Sequence, residues 1–140
     1  MSVADTRTPV TVITGASNGI GRAIALELGK QGATVIGTAT TVDGAEKISA
    51  YLADAGLKGK GIVLNVTDAT QTDAALTELA KEFGAITILV NNAGIGVKAE
   101  ERKTVDEFPV DAWDRMIAID LTGVFLVSRA VIPHMKTRKA

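Results

Sequence analysis

Cysteine is absent from this chain, and histidine occurs once, as His134. A disulfide framework and thiolate metal sites are therefore excluded, and a single imidazole cannot assemble a metal cage. Charge of one sign is missing as well. Fifteen Lys and Arg against sixteen Asp and Glu leave a net charge of −1, and the only basic clustering is Lys136, Arg138 and Lys139. No basic stripe marks a nucleic-acid groove, so no nucleic-acid partner is expected, and the basic tail reads as a solvated terminus. No run of about 18 apolar residues occurs. The opening segment, Met1 to Pro9, is polar and lacks the apolar centre of a signal peptide. The expectation is a cytoplasmic protein without a membrane partner, in which residues 1–9 are a flexible lead-in.

What is present is ordinary for a soluble globular chain: 46% hydrophobic and 22% charged residues over 140 positions. A chain of this length buries roughly 68–70% of its unfolded surface in one core. One domain spanning residues 1–140 is expected.

Strand and helix patterns alternate along it. Val10 to Thr14 is a β-branched run without polar alternation, the pattern of a strand covered on both faces. Ile20, Ala23, Ile24 and Leu28 recur at helical spacing up to Gly32, which is placed to cap the helix end. Thr34 to Thr38 is a second strand. A helix follows, with Ala45, Ile48, Leu52 and Ala55 on its apolar face. The third unit has a strand over Gly61 to Asn65 and a helix from Thr70 to Phe83 with Leu76, Leu79, Ala80 and Phe83 inward. The fourth strand covers Ile86 to Asn91. A looser, charged segment to Pro109 then leads into a long helix capped by Asp111 and running to about Met135, which Pro133 should kink or end. Four such units predict a three-layer α/β/α, Rossmann-like fold. Its four-stranded parallel sheet should have strand order 3-2-1-4, with a switch point between strands one and four.

The turn after strand one reads Thr14-Gly-Ala-Ser-Asn-Gly-Ile-Gly21. Glycines at 15, 19 and 21 let the backbone turn sharply and come close to a guest. Unpaired amides at a helix start, with the positive end of its dipole, attract a phosphate. A purely steric glycine turn is the alternative, and the buried strand before and amphipathic helix after argue for nucleotide binding. At the end of strand two, Gly37-Thr-Ala-Thr-Thr41 carries no acid to accept the hydroxyls of an NAD ribose. Small hydroxyl residues there favour NADP(H), with NAD(H) as the alternative, although no arginine stands beside them.

These residues resemble the short-chain dehydrogenase/reductase family over nearly the whole chain. Thr14-Gly-x-x-x-Gly-x-Gly21 looks like its cofactor signature and Asn91-Asn-Ala-Gly94 like its second hallmark. Ile36-Gly-Thr-Ala-Thr40, Leu64-Asn-Val-Thr-Asp68 and Ile88 to Gly94 are similar to the 3-oxoacyl-(acyl-carrier-protein) reductases. The part after Ile95 looks more like sugar- or polyol-oxidising relatives. The resemblance implies that Gly15 to Asn18, including Ser17, wrap the pyrophosphate, that Gly19, Ile20 and Gly21 complete the cofactor-binding turn, and that Thr40 lies near the adenosine 2′-phosphate. It also implies that Asn65 and Val66 border the adenine and that Asn92 lies near the nicotinamide-side ribose, with Ala93 and Gly94 among the cofactor-binding residues beside it. Each has a structural alternative: a turn for Asn91 and Asn92, and capping of the third helix for Asn65 and Asp68.

The sequence also departs from the family pattern. The similar reductases usually carry an arginine where Asn18 stands, and the family generally has a catalytic asparagine at the position of Asp120. Neither the family's serine nor its Tyr-x-x-x-Lys pair occurs: Tyr51, the one tyrosine, is followed four residues later by Ala55. Without that proton donor the chain alone is expected to bind a dinucleotide but not to turn over. Strand four would then form an exposed edge near Ile86, Ile88, Leu89 and Val90, and the last helix is apolar on more than one face. Both predict a homodimer or higher oligomer, or pairing with a complementary C-terminal fragment. The competing reading is a non-catalytic, chimeric or engineered scaffold that self-associates.

Overall fold

The computed structural model describes residues 8–138. Most of the expected lead-in, residues 1–7, and Lys139 of the basic tail lie outside the described residues. The element order is β1 (Val10–Ile13), α1 (Gly19–Lys30), β2 (Thr34–Ala39), α2 (Val42–Asp54), β3 (Gly59–Val63), α3 (Ala69–Phe83), β4 (Ile88–Val90), α4 (Val110–Ile117) and α5 (Gly123–Arg138). All strand pairs are parallel and the order is β3-β2-β1-β4, the expected Rossmann-like arrangement.

Side chains alternate across the two central strands and so divide the core in two. Val10, Val12 and Ile36 point to one face, where Leu76 and Leu79 of α3 and Val127 and Val131 of α5 cover them. Ile13 and Val35 point to the other, under Ala25 of α1 and Ile48, Tyr51 and Leu52 of α2. Burial on both sides explains why these strands carry β-branched residues without polar alternation.

The inward face of α1 differs in part from the expected one, since Ile24 and Leu28 do pack against the core. Ile20 is 74% exposed, and the buried positions are Gly21, Ala25 and Gly29. Small residues at four-residue spacing let the helix axis approach the sheet, so close approach, rather than side-chain bulk, selects the face. Strand three begins two residues earlier than its apolar run suggested. Strand four is shorter than the expected Ile86 to Asn91: Ile86 is fully buried ahead of it, and after Val90 the chain turns so that the Asn92 amide meets the Thr14 hydroxyl instead of a ladder partner.

The last helix also differs. Pro109, not Asp111, stands at its N-cap, and Asp111 lies in the first turn, where its charge suits the helix dipole. A π-turn at Ala118–Thr122 joins α4 to α5, and α5 continues through Pro133 to Arg138. Proline removes one intrahelical donor, and packing of Val127 and Val131 just before it, both fully buried, holds the helix together. Polar residues interrupt any unbroken apolar run, yet Val110–Thr137 is long and apolar enough to cross a membrane by length and composition alone. Val127 and Val131 anchor it to the core, whereas Trp113, Leu121, Phe125 and Ile132 on the same span are exposed.

Candidate functional site

The carboxyl ends of β1, β2, β3 and β4 open on one cleft of about 310 Å³. It is lined by Gly15, Ser17, Thr40, Asn65, Val66, Asn92, Ala93 and Gly94, all singled out from sequence, and by Thr38, Ala39, Leu64, Ile95 and Ile119, which were not. A cleft at this position is where open α/β sheets bind ligands, because the chain leaves β1 in opposite directions on its two sides.

The glycine turn forms one wall. Gly15 has φ +66°, and a Cβ there would stand 2.9 Å from the Ala93 Cα. Gly21 is buried beneath the turn instead of lining the cleft, where a Cβ would stand 2.5 Å from the Asn92 Nδ2 and 2.6 Å from the Gly15 carbonyl oxygen. Gly19 has φ +59° and open space in front of it. So two glycines are required by close packing and the third faces outward, a cradle that an anion can approach without meeting a Cβ. Asn18, Gly19 and Ile20 are exposed and continue from Ser17 at the rim. Asn18 is the N-cap of α1, yet its side chain bonds none of the first-turn amides. Its Nδ2 donates to Ser17 Oγ at 3.4 Å, and its Oδ1 accepts from Lys47 Nζ.

Three side chains that sequence reasoning missed hold this wall in place. Thr14 Oγ1 accepts the amides of Asn92 and Ala93 at 3.0 and 2.9 Å, locking the turn after β4 to the end of β1. Thr38 Oγ1 accepts the Gly15 amide at 3.3 Å. Tyr51, on α2, donates its hydroxyl to the Ala16 carbonyl at 2.7 Å, and burial pushes its pKa up, opposed more weakly by the Arg22 cation 5.0 Å from its ring. A signal did exist for the threonines, since each ends a buried strand; nothing in the spacing around Tyr51 marks its partner.

The opposite wall comes from the turns after β3 and β4. Asn65 Oδ1 accepts from the Thr67 amide and hydroxyl, and Asp68 caps α3 through the Gln71 amide at 2.9 Å, so the capping alternative holds for Asp68. The Asn92 side-chain amide donates to the Gly15 carbonyl at 2.8 Å, and Asn91 reaches Ser128 on α5 at 3.2 Å. Both asparagines thus do more than end a strand. Asp120 sits in the π-turn, a distortion frequent at functional sites, and its Oδ1 accepts the Ile95 amide at 2.8 Å. An asparagine at that position would supply the same acceptor plus an amide donor that Asp120 lacks.

No carboxylate is among the residues lining the cleft. Neutral hydroxyls and amides, backbone donors at the start of α1 and an uncapped helix dipole suit a dinucleotide, whose phosphates an acid would repel. Among the described residues no group of His, Cys, Asp and Glu could hold a metal ion.

Comparison with known proteins agrees with this architecture. The chain is 45% identical to the 3-oxoacyl-(acyl-carrier-protein) reductase FabG of Haemophilus influenzae over 93% of its own length and 51% of that protein's. It is 42% identical to the 5-keto-D-gluconate 5-reductase of Escherichia coli over 92% of its length and 49% of the other's. A metagenomic short-chain oxidoreductase solved in complex with NADP superposes with a TM-score of 0.83 at 32% identity, covering 93% of this chain and 58% of that one. The chain spans about half the length of the curated relatives it matches. The model of the short chain dehydrogenase family matches residues 9–140, and the chain belongs to that family.

Proposed function

We propose that this chain is the NADP(H)-binding portion of a short-chain reductase of the 3-oxoacyl-(acyl-carrier-protein) type. The glycine turn from Gly15 to Gly21 receives the pyrophosphate, Thr40 the adenosine 2′-phosphate side, Asn65 and Val66 the adenine, and Asn92, Ala93 and Gly94 the nicotinamide-side ribose. The observation that carries this reading is convergence: residues from four separate loops line one cleft free of carboxylates. Bound there, the nicotinamide would supply hydride chemistry. The chain's own residues bind and orient: Thr14 and Asn92 fix the two walls to each other, and Asp120 holds the segment at Ile95. With no Tyr-x-x-x-Lys pair to deliver a proton, the 140 residues by themselves carry out no reduction.

A second reading, self-association, is favoured by Trp113, Ile117, Leu121 and Phe125, which lie four residues apart and are 36–64% exposed. We assign this stripe to contact with a second copy of the chain.

The test is titration of NADPH and NADH into the purified chain, followed by nicotinamide fluorescence and calorimetry. Saturable one-to-one binding with no turnover of an acyl or keto-sugar substrate is expected. Absence of binding by either dinucleotide would overturn the reading.

A further inference from the structure

A dinucleotide phosphorylated at its 2′-hydroxyl brings two negative charges to the end of β2, and the loop there has no cation. Gly37 to Thr41 offers hydroxyls alone, and that of Thr41 is committed to capping α2, accepting the Gly44 amide at 3.0 Å. Arg22 stacks over the Tyr51 ring. One cation nevertheless arrives at the glycine turn from elsewhere. The start of α2 is drawn against both β2 and the turn, since a Cβ on Gly44 would stand 2.7 Å from the Ala39 Cβ and 3.7 Å from the Ser17 Cβ. Lys47 follows Gly44 by three residues and so shares its face of the helix. Its ammonium donates to Asn18 Oδ1 across 29 residues of sequence. Lys47 is exposed, and among the described residues it has no ion-pair partner. Asp43, in the first turn of α2, Glu46, beside Lys47, and Asp54, at the far end, are the acids on the same helix.

We infer that Lys47 selects the 2′-phosphorylated dinucleotide, supplying from α2 the positive charge that the glycine turn lacks at Asn18. The inference rests on the dinucleotide reading above. In the free protein the ammonium rests on a neutral amide oxygen. A phosphate dianion is a far better acceptor, because it adds attraction between opposite charges to the hydrogen bond that the ammonium makes with a neutral oxygen. Lysine suits the task as a mobile point charge on a flexible stem. Asn18, released from Lys47, keeps an amide donor to offer the same phosphate. Lys47 is thus a specificity residue for the cofactor's 2′ position and has no part in holding the pyrophosphate.

Calorimetric titration of NADPH and NADH into the wild-type chain, K47Q and K47R tests this, with thermal melting to verify folding of each exposed-site variant. The wild type should prefer NADPH, and K47Q should lose about tenfold to a hundredfold in NADPH affinity. NADH affinity should stay unchanged, and K47R should retain the preference. A K47Q chain that keeps the wild-type ratio of affinities overturns the inference and leaves the dinucleotide site standing. Equal wild-type affinity for both cofactors does the same. Binding of neither cofactor by the wild type overturns both.

Discussion

At Tyr51 a phenol buried to 7% exposure reaches across from α2 to the Ala16 carbonyl, inside the turn that would receive the pyrophosphate. Removing the hydroxyl leaves that carbonyl buried without its partner, so Tyr51→Phe should destabilise the chain by about 1 to 2 kcal/mol in urea unfolding. It should also weaken NADPH binding, because the turn loses its support from beneath; a variant with unchanged midpoint and affinity would show the bond to be idle. The raised phenol pKa has a definite sign. The neutral form is favoured by folding, so its contribution is complete below the ordinary value of 10.0 and is lost as pH climbs through the folded value. Tyr51→Phe should therefore blunt alkaline unfolding. Sequence pattern could place Tyr51 on a helix and exclude it from a Tyr-x-x-x-Lys pair, but its partner lies 35 residues away and leaves no periodic trace. The glycines were legible for the opposite reason: positive φ and close approach are demands that only glycine meets, so composition itself records the geometry.

The elements that were read most accurately are those with one buried face of ordinary size, such as α3, where Leu76 and Leu79 are buried as their spacing implies. Helix α1 was read only in part: Ile24 and Leu28 flank the core as their spacing implies, but the most buried positions are small residues, which periodicity of bulk does not register. The segment from Ala93 to Pro109 had no period at all. It folds as two short 3₁₀ turns, Ala99–Glu101 and Val105–Glu107, tied to α4 by Arg115, whose guanidinium donates to both Glu101 carboxylate oxygens at 2.8 and 3.0 Å. That hydrogen bond is the main cause holding the Glu101 pKa below its ordinary 4.5, with smaller help from the Lys98 amide and against a desolvation cost. A depressed carboxylate stabilises above its unfolded value and loses the contribution as pH falls through the folded one. The sole tryptophan, Trp113, lines an apolar groove with Lys103, Val105 and Phe108 and so reports on the insert. Its emission should shift as pH drops below 4.5, and Glu101→Gln should show the shifted emission already at neutral pH; identical spectra would mean that the pair does not hold the insert. The outer stripe of α4 and α5 belongs to the same scale. Leu121 and Phe125 are 64% and 59% exposed, although Arg129 lies 5.5 Å from the Phe125 ring. Replacing both by lysine should convert a self-associated chain to monomer in sedimentation velocity, whereas an unchanged distribution would exclude this helix face as the contact.

Across the whole molecule, strand order 3-2-1-4 follows from short right-handed crossovers, and it brings loops far apart in sequence to one edge of the sheet. This is why eight of the residues lining the cleft could be picked out from sequence: once the glycine turn lies after β1, the ends of β2, β3 and β4 have nowhere else to converge. What pattern could not reveal is the set of cross-connections that make the cleft one unit, namely Thr14 to Asn92, Asn92 to Gly15 and Asp120 to Ile95. They join residues of different periods on different elements. Among the described residues β4 is an edge strand, and its Ile88, Leu89 and Val90 are half-buried. The central claim is that this cleft binds a dinucleotide, and an amide-resolved NMR titration of the isotope-labelled chain with NADPH tests it most directly. Saturable shifts should map to Gly15 through Ile20, Thr38 through Thr40, Asn65 and Val66, and Asn92 through Ile95. Shifts that fail to saturate, or that gather at the groove around Trp113 instead, would contradict it.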